Sequence, residues 1–268
     1  MTALVVSTVN VNGVRAAVRQ RSARNLGLLA WLADTAADVV CLQETRADDE
    51  QLAKALAPAV ADGWQVVSAE PHIKGRSGVA IMSRRPIDAV RLLDSDEFGT
   101  HGRYLEADIA GVTVASVYVQ TGEAGTPWQR EKERFLATLA HRMAELRADG
   151  RDAVVCGDWN IAHTEADIKN SKGNLKKSGF LPEERQWVSD LLASGWVDVV
   201  RELHPGVAGP YSWWSWRGRA FDNDAGWRID YHLATAPLAA RAVSARVERA
   251  AEYALRWSDH APVTVEYG

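Results

Sequence analysis

The chain has 268 residues, of which 47% are hydrophobic and 25% are charged, and its formal net charge is −4. This composition is typical of a soluble globular protein. No apolar run reaches the length of a membrane span, and the start of the chain lacks the basic and apolar segments of a signal peptide. We therefore expect no membrane association and a cytoplasmic location. The net charge does not indicate a nucleic-acid-binding protein, although clustered basic residues can bind DNA in an acidic chain.

Short apolar runs rich in β-branched residues predict seven strands in chain order. They cover residues 4–13, 38–45, 77–84, 112–122, 152–160, 227–235 and 261–267. Helical periodicity predicts three helices between these strands, over residues 22–36, 129–149 and 182–194. Because strands and helices alternate along the whole length without a linker or repeat, we expect residues 1–268 to form one α/β domain.

The helix ends carry local signals. Pro182 and the two acids after it are typical of a helix start, and Gly150 and Gly195 are typical of positions just after a helix. Each helix also predicts a buried stripe. The three stripes are Leu26, Leu29, Trp31 and Leu32; Phe135, Leu139, Met143 and Leu146; and Trp187, Val188, Leu191 and Leu192.

Two cysteines, Cys41 and Cys156, lie inside predicted strands, and we expect buried free thiols in a reducing compartment. Two segments concentrate basic residues without any acid. Residues 15–24 hold four arginines, and residues 169–177 hold four lysines. Each segment is either a solvated face or part of a nucleic-acid-binding surface.

Polar residues collect where the predicted strands end. They are Asn10, Asn12, Glu44, Tyr118, Asp158, Asn160, Asp230, Asp259 and His260. Taken singly, each is compatible with an ordinary turn or cap. Taken together, they offer oxygen ligands for Mg²⁺ at Glu44 and Asn12, a carboxylate base at Asp158 and a carboxylate-held histidine at His260.

Five motifs carry a resemblance to a known family: "NVNG", "LQET", "GDWN", "RIDY" and "SDHAPV", in this order. Together they resemble the endonuclease/exonuclease/phosphatase superfamily and, more closely, its exodeoxyribonuclease III family of apurinic/apyrimidinic (AP) endonucleases. Residues 168–187 and 211–231 are similar to that family's DNA-contacting loop and aromatic loop. The resemblance implies a four-layered α/β sandwich, in which two mixed sheets pack face to face with helices outside.

The resemblance also implies roles for single residues. Glu44 and Asn12 match metal-site positions, Asp259 matches a carboxylate near a second metal position, and Asn10 matches a supporting asparagine. The catalytic positions are matched by Asp158 as base, Asn160 as its orienting partner, Asp230 as the partner of His260, and Tyr118 on the phosphate. Because Asp158 and Asn160 are two residues apart, a continuing extended segment would point both side chains the same way.

The remaining matched positions concern DNA. Trp213, Trp227 and Ile229 match a pocket that receives a flipped-out abasic deoxyribose. Backbone contacts with DNA are implied for Arg15, Asn170 and Asn174.

Three residues depart from the family's pattern. Arg76 stands where many relatives have an aromatic residue that touches DNA, and Lys177 replaces a common asparagine. Thr121 replaces an amide. The basic replacements should strengthen phosphate binding and its salt dependence, whereas the hydroxyl should weaken one contact.

The resemblance implies a Mg²⁺-dependent (or Mn²⁺-dependent) DNA repair nuclease that cuts duplex DNA 5′ to abasic sites. It also implies 3′→5′ exonuclease and 3′-end-trimming activity, and its partners would be double-stranded DNA and 3′ ends. Two alternatives are a phosphoesterase of the same superfamily acting on small molecules and a DNA-binding protein without catalysis. We expect a monomer, since no exposed apolar stripe requires a partner.

Overall fold

The structure is a computed structural model and describes residues 3–268. Its described part contains twelve strands. They are β1 (Leu4–Asn10), β2 (Val39–Gln43), β3 (Gln65–Ala69), β4 (Val79–Ser83), β5 (Ile87–Leu92), β6 (Tyr104–Ile109), β7 (Val112–Tyr118), β8 (Ala153–Asp158), β9 (Trp196–Asp198), β10 (Asp230–Thr235), β11 (Ala242–Val247) and β12 (Val263–Tyr267). Six form one sheet, in the order β11-β12-β1-β2-β4-β3, and six form another, in the order β5-β6-β7-β8-β10-β9.

Eight α-helices connect or flank these strands. They are α1 (Val14–Ala17), α2 (Leu28–Asp34), α3 (Asp49–Ala61), α4 (Pro127–Ala148), α5 (Ser171–Asn174), α6 (Pro182–Ala193), α7 (Val199–Leu203) and α8 (Ala236–Ala239). Two short 3₁₀ turns cover Glu165–Asp167 and Tyr253–Leu255. Among residues 3–268, no helix is both long and apolar enough to cross a membrane.

Three apolar layers hold the two sheets and the helices together. The inner layer lies between the sheets and includes Val39 and Ile81 from one sheet and Val114 and Val154 from the other. A second layer joins α4 and α6 to the second sheet. A third joins α1, α2 and α3 to the first sheet. Helix, sheet, sheet and helix therefore form four layers, and the four-layered sandwich implied by the resemblance is confirmed.

Each of the seven predicted strands contains one strand of the structure, and the predicted stripe of α4 is buried. The first predicted helix, however, is wrong at its start. Helix α2 begins at Leu28, because Gly27 has a φ of 80° and a Cβ there would lie 2.6 Å from the Ala17 carbonyl oxygen. Residues 22–25 form a turn instead, so Leu26 is 49% exposed and Leu28 takes the buried position.

Both cysteines are buried free thiols, as predicted. Cys41 and Cys156 belong to the layer between the sheets, where Cys156 Sγ lies 3.4 Å from His232 Nδ1. The packing of this layer fixes the two sheets against each other. It thereby sets the distance between the strand ends that carry the polar residues.

Candidate active site

Parallel strand pairs bring the polar strand ends together. Strand β1 runs parallel to β2 in one sheet, and β7 runs parallel to β8 in the other. Because parallel strands end at the same edge, each sheet presents two strand ends to the cleft. Asn10 joins the two sheets there, since its Nδ2 donates to Glu44 Oε1 and to Asp158 Oδ2, both at 2.8 Å.

Four residues at these strand ends adopt a left-handed backbone conformation. Asn12, Glu44, Arg46 and Asn160 have φ values of 48–49°. Such conformations cost about 1–3 kcal/mol each for residues other than glycine, and they concentrate at functional sites. They turn the chain sharply where each strand stops, so that the side chains point into the cleft rather than along the sheet.

The prediction that Asp158 and Asn160 share one extended segment is wrong. Strand β8 ends at Asp158, and the positive φ of Asn160 turns the backbone after it. The two side chains still meet, because the Asn160 backbone amide donates to Asp158 Oδ1 at 2.9 Å and Asn160 Nδ2 donates to Asp158 Oδ2 at 3.1 Å. A tight turn, and not strand alternation, therefore brings them together.

His260 lies between two buried carboxylates. Its Nδ1 is 2.9 Å from Asp230 Oδ2, which is hydrogen-bonding distance, and its Nε2 is 3.7 Å from Asp158 Oδ2. The longer distance leaves the Nε2 proton free to point at another acceptor. His260 thus has one nitrogen held by Asp230 and the other directed at the cleft.

Burial and charge shift the pKa of both groups. Burial raises the pKa of Asp158 to about 7, and the nearby charge of His260 opposes this rise. Burial would lower the pKa of His260, but the charges of Asp230 and Asp158 outweigh it and raise that pKa to about 10. Near neutral pH, His260 is a cation and Asp158 is poised to exchange a proton.

Tyr118 ends β7 directly opposite Asp158 in the parallel register of β7 and β8. Burial, followed by the charges of Glu44 and Asp158, raises its pKa well above the usual value of 10. The phenol therefore remains a hydrogen-bond donor at physiological pH. Next to it, Thr121 Oγ1 donates to Asn160 Oδ1 at 3.1 Å, so the hydroxyl that departs from the family's pattern supports Asn160 directly.

Asp259 bridges the two sides of the cleft. Its Oδ1 accepts from Asn12 Nδ2 at 2.8 Å, and its Oδ2 accepts from Trp213 Nε1 at 3.1 Å. The backbones of Trp213 and His260 also pair there in antiparallel orientation. Asp259 therefore connects the predicted metal site to the aromatic residues.

One cavity of about 270 Å³ contains both the polar and the aromatic groups. Asp158, His260 and Glu44 line it together with the predicted pocket residues. Trp213 and Trp227 meet edge to face with their ring centroids 6.1 Å apart, and both pack on Ile229 in a small apolar cluster. The structure thus places the three predicted pocket residues beside the predicted catalytic residues.

The predicted DNA-contacting residues are more dispersed. Arg15, Arg76 and Lys177 are exposed cations, and Arg76 lies 5.7 Å from the ring centroid of Trp128, which is 50% exposed. Asn170 and Asn174 have local partners, since the Asn170 side chain caps α5 and Asn174 Nδ2 donates to the Asn170 carbonyl oxygen at 2.7 Å. Asn174 is 8% exposed, so its present contacts shape the loop.

The sequence profile of the Endonuclease/Exonuclease/phosphatase family matches residues 7–260. The chain belongs to this family. An exodeoxyribonuclease from Bacillus subtilis is 32% identical over 255 residues, and the match covers 95% of each chain.

Solved structures of family members superpose on almost the whole of this chain. An AP endonuclease from Archaeoglobus fulgidus superposes with a TM-score of 0.87 and 30% identity, covering 98% of this chain and 99% of that chain. The 3′ phosphatase NExo from Neisseria, bound to a product DNA hairpin, gives a TM-score of 0.87 and 33% identity, covering 99% of each.

Two sets of residues in this family member could hold a metal ion. Glu44 and Asn12 offer a carboxylate and an amide oxygen in the cavity, and no described residue donates a hydrogen bond to Asn12 Oδ1. The other set, Asp158, Asp230 and His260, has ligand atoms within 4.8 Å of one another, but all three residues are buried. Since Mg²⁺ keeps several waters, the more open Glu44–Asn12 set fits it better.

Sequence reasoning missed Arg46. Its guanidinium forms an ion pair with Glu44 Oε2, and its side chain lines the cavity. It also lines an adjoining cleft of about 220 Å³ that Arg76 and Arg103 share. The signal was present in "LQETR", where a cation follows Glu44 by two residues, but only the left-handed conformation of both residues turns Arg46 toward the carboxylate.

Proposed function

We propose that this protein is a Mg²⁺-dependent DNA repair nuclease that cuts the phosphodiester 5′ to abasic sites in duplex DNA, with 3′→5′ exonuclease and 3′-end-trimming activity. Membership of the family makes it a phosphodiester hydrolase. The observation that carries the proposal is the shared cavity. Asp158 and His260 line it together with Trp213, Trp227 and Ile229, so that the proposed catalytic groups and an apolar surface for the abasic sugar lie next to each other.

Glu44 and Asn12 would hold the metal ion, with Asp259 next to Asn12. Bound there, Mg²⁺ or Mn²⁺ would supply positive charge to the phosphate oxygens and the leaving oxygen. The ion pair between Arg46 and Glu44 would give way to the metal, and the guanidinium would remain near the phosphate. In this arrangement the metal ion would lie on the open side of the cavity, and proton transfer would take place on its buried side.

Asp158 is the group that takes a proton from the attacking water. Its pKa of about 7 is close to neutral pH, which is where a general base works best. Asn10 and Asn160 hold both carboxylate oxygens in place. Water oxygen then forms a bond to phosphorus while the bond from phosphorus to the 3′ oxygen breaks. The 3′ oxygen leaves with the electron pair of the broken bond and becomes a hydroxyl by taking a proton from solvent water in the open cleft.

His260 and Tyr118 stabilise the charge that develops on the phosphoryl oxygens. His260 is cationic at neutral pH and directs Nε2 into the cleft, while Asp230 fixes the ring through Nδ1. Tyr118 donates from a phenol that stays protonated. Preorganised donors of this kind supply a large share of the rate enhancement in phosphoryl transfer.

Abasic selectivity would come from Trp213, Trp227 and Ile229. A sugar without a base is small enough for this pocket, and extruding it from the helix is cheapest where no base is stacked or paired. Arg15, Arg76, Asn170 and Lys177 would contact the DNA backbone, which positions the duplex without reading its sequence. Asn174, which is buried, would act by holding the loop through the Asn170 carbonyl oxygen. We also propose that the chain acts in the cytoplasm as one catalytic domain and as a monomer.

The test is incision of a duplex with one abasic-site analogue, with and without Mg²⁺, beside an undamaged duplex with blunt and recessed ends. We expect metal-dependent cleavage immediately 5′ to the abasic site. Degradation from 3′ ends without incision would keep the active site but replace the main activity with that of an exonuclease. Cleavage of small phosphoesters alone, or DNA binding without any cleavage, would support the two alternative functions instead.

A further inference from the structure

A fully buried ion pair lies directly behind the active site. Lys132 of α4 and Glu184 of α6 are 0% and 1% exposed, and Lys132 Nζ is 2.7 Å from Glu184 Oε1. Replacing a buried pair of this kind by apolar residues often leaves stability unchanged or improves it, because removing two charges from water is costly. Stability alone therefore does not account for the pair.

Lys132 reaches the active site through the backbone of Asn160. Its Nζ donates to the Asn160 carbonyl oxygen at 2.9 Å, at the residue whose side chain and amide both hold Asp158. The side-chain amide of Asn160 also donates to the Val119 carbonyl oxygen at 2.9 Å and accepts from Thr121 Oγ1. The ammonium group thus pins the left-handed turn that presents Asn160 to the carboxylate.

Glu184 holds the neighbouring wall of the cavity. Its Oε2 accepts from the backbone amides of Gly179 and Leu181 at 2.6 and 3.1 Å, and its Oε1 accepts from Ser178 Oγ at 3.1 Å. Ser178 and Gly179 line the cavity. A Cβ at Gly179 would lie 3.0 Å both from the Asn160 carbonyl oxygen and from Trp227 Cζ3, so this wall fits tightly between the catalytic turn and the pocket.

We propose that Lys132 and Glu184 are positioning residues, which set the Asn160 turn and the 178–181 wall at the separation that the reaction needs. Neither side chain reaches DNA, because both are buried. Their effect is therefore on the geometry of Asp158 and Asn160, and on kcat rather than on DNA binding. This inference rests on the proposed function.

The test compares wild type with the double variant Lys132→Met/Glu184→Gln, which removes both charges with little change of volume. We expect a lower melting temperature, because the Asn160 carbonyl oxygen loses its donor and Glu184 loses part of its acceptor capacity. At a temperature where both proteins are folded, we expect a KM for abasic duplex within about 3-fold and a kcat reduced about 10²-fold, the cost of displacing a catalytic group by about 1 Å. A folded double variant with wild-type kcat would overturn the positioning role. If wild type itself leaves abasic DNA intact, the proposed function fails, and the inference fails with it.

A second variant covers the case in which the double variant does not fold. Glu184→Gln, measured below its own melting temperature, should lower kcat at least about 5-fold at unchanged KM, on the same geometric ground. Unchanged kcat would again overturn the proposal. The matched control is Glu106→Gln, which breaks a buried ion pair of β6 with Arg142 and should lower the melting temperature without changing the kcat of the folded protein.

Discussion

Asp158 and Asp230 face each other in direct register across the antiparallel strands β8 and β10. His260 lies against both, with Nδ1 at 2.9 Å from Asp230 and Nε2 at 3.7 Å from Asp158. The protonated imidazole of His260 therefore interacts with both carboxylates. Asp230 accepts a hydrogen bond from the imidazole, whereas Asp158 interacts with it only as a nearby charge, so the two acids have different environments.

Replacing Asp158 by Asn should abolish most of the turnover. The amide cannot take a proton from water, so we expect kcat to fall at least about 10²-fold, the lower end of what a positioned acid or base supplies. DNA binding should remain, because Asp158 is 1% exposed. Single-turnover kinetics on abasic duplex would measure this. Asp88→Asn, an exposed carboxylate of edge strand β5, is the matched control, and normal turnover by folded Asp158→Asn would defeat the assignment.

The pH dependence of kcat/KM should be bell-shaped, since kcat/KM reports the pKa values of the free enzyme. Activity requires ionised Asp158, so it should rise as the pH passes about 7, and it requires protonated His260, so it should fall as the pH passes about 10. Asp230→Asn removes a charge that raises the pKa of His260 and should move the alkaline limb to lower pH. An alkaline limb that stays in place in that variant would contradict the assigned pair.

Removal of divalent metal by a chelator should stop cleavage, and added Mg²⁺ should restore it. In Glu44→Gln, the Mg²⁺ concentration needed for half-maximal rate should rise by more than about 10-fold, the minimum cost of removing even an outer partner of a metal site. Metal titration of the cleavage rate measures this. Glu97→Gln changes an exposed glutamate paired with Arg134 and serves as control. If the Mg²⁺ requirement of Glu44→Gln is unchanged, we would infer that the ion binds at the Asp158–Asp230–His260 set instead.

Substitution of a pocket residue should change the selectivity for abasic sites more than the rate of phosphodiester cleavage. Trp227→Ala should lower abasic incision relative to 3′→5′ removal of intact nucleotides by about 10–200-fold, the range over which an apolar pocket discriminates. The two activities would be compared on one enzyme preparation. Trp187→Ala, a partly buried tryptophan of α6 outside the cavity, is the control. An equal loss of both activities would argue against a sugar pocket.

The salt dependence of DNA affinity should show whether the basic loop, residues 169–177, contacts the DNA phosphates. Lys177→Ala should reduce the slope of log affinity against log salt concentration by about 1, as expected for one lost phosphate contact. Fluorescence anisotropy of labelled duplex over a range of salt concentrations would measure it. Lys54→Ala, an exposed lysine of α3, should leave the slope unchanged. If both variants behave alike, Lys177 does not contact the backbone.

The fold could be predicted only in part from patterns along the chain. The apolar strands β1, β2, β4, β7, β8, β10 and β12 were predicted because they are buried on both faces or nearly so. Strand β5 was not, since its exposed and half-buried residues alternate at a sheet edge and Arg91 pairs with acids of β6. Edge strands are stabilised by such contacts with a neighbour, which a local pattern does not contain.

The candidate site residues were predicted from the sequence by itself. The ordered motifs mark Glu44, Asp158, Asp230 and His260 at the ends of apolar strands, where a charged side chain needs a partner, a metal or water. The tertiary structure decided what those residues can do. Only the packing of the two sheets brings Asn10, Glu44 and Asp158 within hydrogen-bonding distance, and only left-handed turns at Asn12, Glu44, Arg46 and Asn160 aim the side chains inward. Burial and neighbouring charges then set the protonation states, since the pKa values of Asp158 and His260 depend on each other and on Asp230. These three residues lie 30–102 residues apart in sequence and meet only when the chain folds.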